Sequence, residues 1–418
     1  MFAAARIGKA DGPASGRGVE MGAEEWIVVV LVVGARLLLP FTIPYWPLPG
    51  AVACMILDSL DQSIFQQFPD IPLEGYQSYD KSLDVYYLAI MYMATMRNWV
   101  NPTAFKASFF LYYYRLVGVV IFELSQWRPI LFIFPNTFEY FWDFVEAVRM
   151  RWNTMRMGKW TVILSVAAIW IFIKLPQEYW IHIAQKDMTD AIKETLFGVD
   201  ATASWSEAIS NRPGVLVAII AGIVVLLFVI YWIVTRKAPS GDHGIRLKAD
   251  PLPAECQGTE LYRTARAAEG LFDRALLEKV VLTGLISVIF AQYLLSDDVK
   301  SVWVLTFVGA FVIVNAFVSQ WLARRGREWS SVAIELLVMF VVNYAIVGVL
   351  LFFELALDRI EQRGPIGTRL FFVFLFTVIT VLFDRYRTVL TARGVLTKRA
   401  DETQGQPPRG AVEQPQAT

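Results

Sequence analysis

Apolar residues run along this chain in blocks of membrane length. Ten segments, at residues 25–40, 79–97, 104–124, 129–148, 160–175, 214–234, 276–295, 302–322, 332–355 and 369–390, stand out. A helix rises about 1.5 Å per residue, so roughly 20 apolar residues cross about 30 Å of hydrocarbon. The pattern predicts an all-α fold, a polytopic transmembrane helix bundle of about ten transmembrane helices. Pro44, Pro47 and Pro49 break the chain after the first block, and Asp58 and Asp61 sit poorly in lipid. Residues 49–68 are therefore expected to form one re-entrant or interfacial segment.

The polar stretches set the organisation. Residues 1–25 form a polar N-terminal leader, and no small-residue cleavage site follows a short apolar core, so the first helix is read as retained. Residues 26–236 make a first transmembrane module with embedded charges. The Pro- and Gly-bearing stretch 237–273 is a cytoplasmic linker, 274–390 is a four-helix transmembrane module, and 391–418 is a disordered C-terminal tail. Basic residues gather at 149–159, 236–274, 324–327 and 385–399, each group two spans from the next. Loops rich in Lys and Arg stay in the cytoplasm. The expectation is a multi-pass protein of the cell membrane with both termini cytoplasmic and the acids Asp70, Glu74 and Asp80 outside.

Composition supports the same class. Hydrophobic residues make up 56% of the chain, and its mean hydropathy is +0.46. The 38 basic and 38 acidic residues cancel, and no basic patch is interleaved with aromatics. The expected partners are membrane lipid and a lipid-linked substrate, with no nucleic acid. Cys54 and Cys256 fall at different membrane depths, which argues against a disulfide. There is no phosphate-binding P-loop, no H-E-x-x-H and no G-x-S-x-G, and with two histidines a histidine-rich iron site is excluded.

Ionisable residues inside apolar spans carry the candidate chemistry, because each survives there only by facing protein or water. Asp58 and Asp61 lie three apart and Asp80 and Asp84 four apart, so each pair shares one helical face. Carboxylates gathered this way can act as catalytic acids and bases, or hold Mg²⁺ or Mn²⁺ through oxygen ligands. The plainer alternative makes Asp80 a first-turn acid and lets Asp58 and Asp61 face solvent. The spacing D-x-x-D followed by D-x-x-x-D resembles the acidic motif of CDP-alcohol phosphotransferases. That resemblance implies two successive helices whose aspartates hold a divalent cation. It covers the 27 residues from Asp58 to Asp84. Gln62 stands where the family has Gly, Phe65 and Gln66 stand where it has Ala-Arg, and the step from Gly75 to Asp80 is one residue longer. Membership is not assigned on this likeness.

Two further stripes are candidate substrate-binding groups. Asn136, Glu139, Asp143, Glu146 and Arg149 recur at offsets of three and four, and Lys174, Glu178, His182 and Gln185 do the same. Arg36 and Arg115 sit in mid-span, suited to an anionic head group or to ion pairing with Asp84, Glu123, Glu139 or Asp143. Lys174 pairing with Glu178, and His182 as a hydrogen-bonded helix residue, are the plain alternatives to a role in metal or proton chemistry. Three functions follow from these features. One is a transferase-like enzyme acting on a lipid-linked or phosphorylated substrate near the outer leaflet. The others are an ion-coupled transporter or channel, and a non-catalytic membrane assembly partner.

Overall fold

The structure is a computed structural model and describes residues 22–65, 67–68, 76–184, 188–252, 274–294, 309–318, 321, 332–356 and 366–405. Among these the regular elements are all helical, with no strand. Five helices are long and apolar enough to cross a membrane: Ala23–Thr42, Pro102–Ser125, Lys159–Ile183, Pro213–Ile233 and Val332–Val349. Of the roughly ten spans expected, five are thus supported among the described residues.

The shortfall has local causes. Residues 129–148 were expected to be one span, but they split into α5 (Pro129–Ile133) and α6 (Thr137–Arg149). Pro135 cannot donate to a helix and disfavours helical backbone at Phe134, which ends α5 with φ −108° and ψ 66°. α6 has 13 residues, about 20 Å at 1.5 Å each, too short for a bilayer. Helix α3 (Tyr76–Asn98) carries Asp80, Lys81, Asp84 and Arg97 and is not among the five. In the block 302–322, the helix seen among the described residues is Gly309–Val318.

The chain divides into two compact units, Met1–Phe105 with Leu247–Thr418, and Lys106–Arg246. This division differs from the modules at 26–236 and 274–390, because α3 packs against the C-terminal helices Arg274–Leu294 and Ile366–Gly405. From Val85 to Met96 α3 is buried on every side, as an all-round apolar helix must be. In the same unit lie α1 (Ala23–Leu38), which runs into a 3-10 turn at Leu39–Thr42, and α2 (Pro47–Phe65). Pro47 opens α2 at a position where a missing N–H costs nothing. A Cβ on Gly50 would lie 2.6 Å from Thr42 Oγ1 and 3.0 Å from the Ile43 nitrogen, so only glycine lets α2 close on that turn.

Polar bonds tie the C-terminal helices together. Buried Lys279 donates to Asn315 Oδ1 and Asp384 Oδ2, both at 2.9 Å. Asn315 donates to Asn343 at 2.7 Å, and Asn343 to Thr377 at 2.9 Å. Glu278 accepts from the Tyr92 hydroxyl of α3 at 2.6 Å and pairs with Arg387 at 3.0 Å. In an apolar bundle such bonds set which helices associate. Replacing Lys279 with Met would leave Asp384 without this cation, and it is expected to destabilise the unit by about 3–5 kcal/mol, read as a lowered melting temperature in detergent. Lys279→Met with Asp384→Leu should recover most of that loss.

The second unit holds α4 (Pro102–Ser125) from Lys106 onward, α5, α6, the helix Lys159–Ile183 and Pro213–Lys237. Lys159–Ile183 changes register twice, with π-helical turns at Ile169–Lys174 and Tyr179–Ile183. Pro176 lies between them and does not end the helix; the wider turns fall where its missing donor interrupts the ladder. Of the expected linker, residues 237–246 belong to this unit and are held on it. The Asp242 and Arg246 amides donate to the Arg151 and Met150 carbonyls at 3.0 and 2.9 Å, and Asp242 pairs with Arg156 at 2.5 Å. Residues 391–405 of the expected disordered tail are helical. The rest of the tail (406–418), residues 1–21 of the leader, 253–273 of the linker, and Asp70, Glu74, Gln185 and Cys256 lie outside the described residues.

Candidate functional site

The densest charge constellation belongs to the first unit. Val29, Val32 and Arg36, three and four apart, form the buried face of α1, so the face that packs on α2 carries a guanidinium in its last turn. Ala51, Cys54, Asp61 and Phe65 are buried on α2, and the same spacing brings Asp58 to this face. α3 contributes Asp80 and Asp84 from its N-terminal half, and Tyr86 anchors it by donating to the Leu37 carbonyl at 3.0 Å.

Arg36 is the hub. One terminal nitrogen donates to Asp61 and, at 2.7 Å, to Asp80; the other donates to Asp58 and, at 2.9 Å, to Asp84. The Arg36 side chain is 4% exposed and that of Asp61 0%, whereas Asp58, Asp80 and Asp84 are 31%, 30% and 37% exposed. The cluster therefore has a closed side at Asp61 and an open side at the other three. Carboxylate oxygens of Asp58, Asp80 and Asp84 all lie within 4.8 Å of one another. Among these five residues, one guanidinium answers four carboxylates, which leaves three formal negative charges in excess.

A second cluster lies in the other unit. A Cβ on Gly118 would fall 2.2 Å from the Phe134 Cβ, so α4 approaches Phe134 at contact distance. That approach lets Arg115 donate to the Phe134 carbonyl at 2.9 Å, with Glu178 4.0 Å away. Glu178 also accepts from the Asn136 amide at 3.0 Å and pairs with His182 Nε2 at 3.0 Å. The Asn136 side chain donates to Glu139 at 2.8 Å. Lys174 donates to Gln177 at 2.9 Å and lies 4.0 Å from the centre of the Tyr140 ring. Glu146 accepts from Arg149 at 2.5 Å. Asp143 differs from its neighbours: its Oδ1 is shut off from solvent with no hydrogen-bond partner. Burial, then Glu139 and Glu146, push its carboxyl above the usual carboxylate range. Gly118→Ala is expected to push Phe134 away, costing about 1–3 kcal/mol, visible as a lower melting temperature.

Apart from Gln185, which lies outside the described residues, each candidate from the sequence has a place in one of these clusters. Asp58, Asp61, Asp80 and Asp84 come together, and Arg36 joins them as their counter-ion instead of presenting its donors to an anion. Of the partners expected for Arg36, Asp84 is the one it meets. Within the stripe Asn136 donates to Glu139 and Arg149 to Glu146. Glu178 meets His182 and Arg115. Sequence reading passed over Glu278, Lys279 and Asp384. Their signal was present, since each is a polar residue within or at the edge of an apolar block.

No protein-family model matches the chain, no curated protein matches it, and no solved structure matches its fold.

Proposed function

We propose that this chain is an integral membrane enzyme that uses a divalent cation, Mg²⁺ or Mn²⁺, to transfer a group on a lipid-linked or phosphorylated substrate. The observation that carries the reading is the approach of Asp58, Asp80 and Asp84 from two helices to within 4.8 Å of one another. Oxygen ligands lie about 2.0–2.6 Å from such cations, so three oxygens at this separation can share one. The excess of negative charge over Arg36 favours the same occupant.

In this reading one carboxylate takes the proton from an acceptor hydroxyl as its oxygen bonds to phosphorus and the bond from phosphorus to the leaving group breaks; a cation held by Asp58, Asp80 and Asp84 would supply Lewis-acid stabilisation of negative charge. Arg36 serves as the tether that holds the four acids together. The distribution of basic loops supports a site near the outer leaflet of the cell membrane, with both termini cytoplasmic.

The test is full-length protein in liposomes of bacterial polar lipid extract, with Mn²⁺ or with EDTA, followed by lipid mass spectrometry and by counting trapped radioactive manganese. The enzyme reading predicts a lipid species that changes only with Mn²⁺ and not in Asp84→Asn. Manganese uptake without lipid conversion overturns it in favour of ion-coupled transport. Neither signal, with a membrane complex co-purifying, overturns it in favour of an assembly partner.

A further inference from the structure

The second unit contains an ionisable cluster that the proposed chemistry does not use. Glu139, Asp143, Glu146 and Glu178 face Arg115, Lys174 and Arg149, so with neutral His182 these residues carry one negative charge more than positive. The excess is best located at Asp143. Glu178 has His182, Arg115 and the Asn136 amide; Glu139 has Asn136; Glu146 has Arg149. The buried Oδ1 of Asp143 accepts no hydrogen bond. A carboxylate oxygen out of reach of water and of any donor is costly, and a proton removes the charge that makes it so.

We infer that Asp143 binds one exchangeable proton, and that its protonated carboxyl brings the second unit's cluster to charge balance. Uptake adds H⁺ to the carboxylate and changes no other bond. The surrounding groups fit this role. On its own helix Asp143 has Glu139 and Glu146 one turn to either side, with Arg149 beyond and already held by Glu146. Of the elements packed on α6, the π-helical turn Ile169–Lys174 brings Lys174, which is directed to Gln177 and Tyr140. The helix Lys159–Ala168 brings Lys159, which is exposed, and the turn Thr154–Arg156 brings Arg156, which is paired with Asp242. Arg115 of α4 is committed to the Phe134 carbonyl. His182, 17% exposed, is bound to Glu178. A buried protonatable acid of this kind is what couples proton uptake to movement or chemistry in membrane proteins. The inference is independent of the aspartate site.

The experiment is an infrared titration of the full chain in lipid nanodiscs, following the C=O stretch of protonated carboxyl groups from acid to alkaline buffer. The wild type should show a band lost near neutral pH. Asp143→Asn should remove it, and Asp143→Glu should retain it at a shifted frequency. Glu139→Gln removes a neighbouring negative charge and should lower the midpoint by about one pH unit. That shift tests the inference even if the Asn variant does not fold. An unchanged band in Asp143→Asn, an unmoved midpoint in Glu139→Gln, or a wild-type midpoint that follows sodium concentration would each overturn it, the last by showing a metal cation in place of the proton.

Discussion

Arg36→Met is expected to be the most damaging single substitution in the first unit. It would leave Asp58, Asp61, Asp80 and Asp84 facing one another without the guanidinium that all four contact. Removing one partner of a buried ion pair costs about 3–5 kcal/mol, and here the cation removed serves four acids, one of them fully buried. The melting temperature in detergent should fall steeply at neutral pH. Added Mn²⁺ should recover part of the loss, because a divalent cation can answer the same carboxylates. A Met variant as stable as wild type would mean that the acids do not depend on Arg36.

Asp84→Asn should have the largest effect on function. It removes one charge at nearly constant volume from the open side of the cluster, where Asp58, Asp80 and Asp84 converge. Loss of an outer-sphere partner already costs metal sites about 10–100-fold in affinity, so loss of a direct oxygen ligand should weaken Mn²⁺ binding by at least about 100-fold. Asp61→Asn is the informative comparison. Asp61 is sealed on the closed side and bonded to Arg36, so its loss should lower stability more than affinity. Equal affinity losses in the two variants would contradict the division of the cluster into an open and a closed side.

The helical spacing of the acids was legible in the sequence because it is local. Offsets of three and four put Asp58 with Asp61, and Asp80 with Asp84, on single faces whatever the tertiary fold. That both faces meet on Arg36 depends on residues 22 to 48 positions away, and no local pattern encodes it. The same limit applies to Glu178, whose partners Asn136 and Arg115 lie on other segments. The division of 129–148 was readable in Pro135 followed by Asn136, yet the apolar average over the window concealed it. The π-helical turns around Pro176 carry no signal that hydropathy can detect. Length and apolarity identify five spans among the described residues, and α3, which carries Asp80, Lys81, Asp84 and Arg97, is not one of them.

The most direct test of the proposed cation site is a Mn²⁺ titration of the full chain in lipid nanodiscs, followed by electron paramagnetic resonance of the free ion. The account predicts one tight Mn²⁺ per chain, competed by Mg²⁺, with binding abolished in Asp58→Asn with Asp84→Asn and preserved in Asp143→Asn. A wild-type chain that leaves all Mn²⁺ free, or a double variant that still binds it at full affinity, would contradict the account.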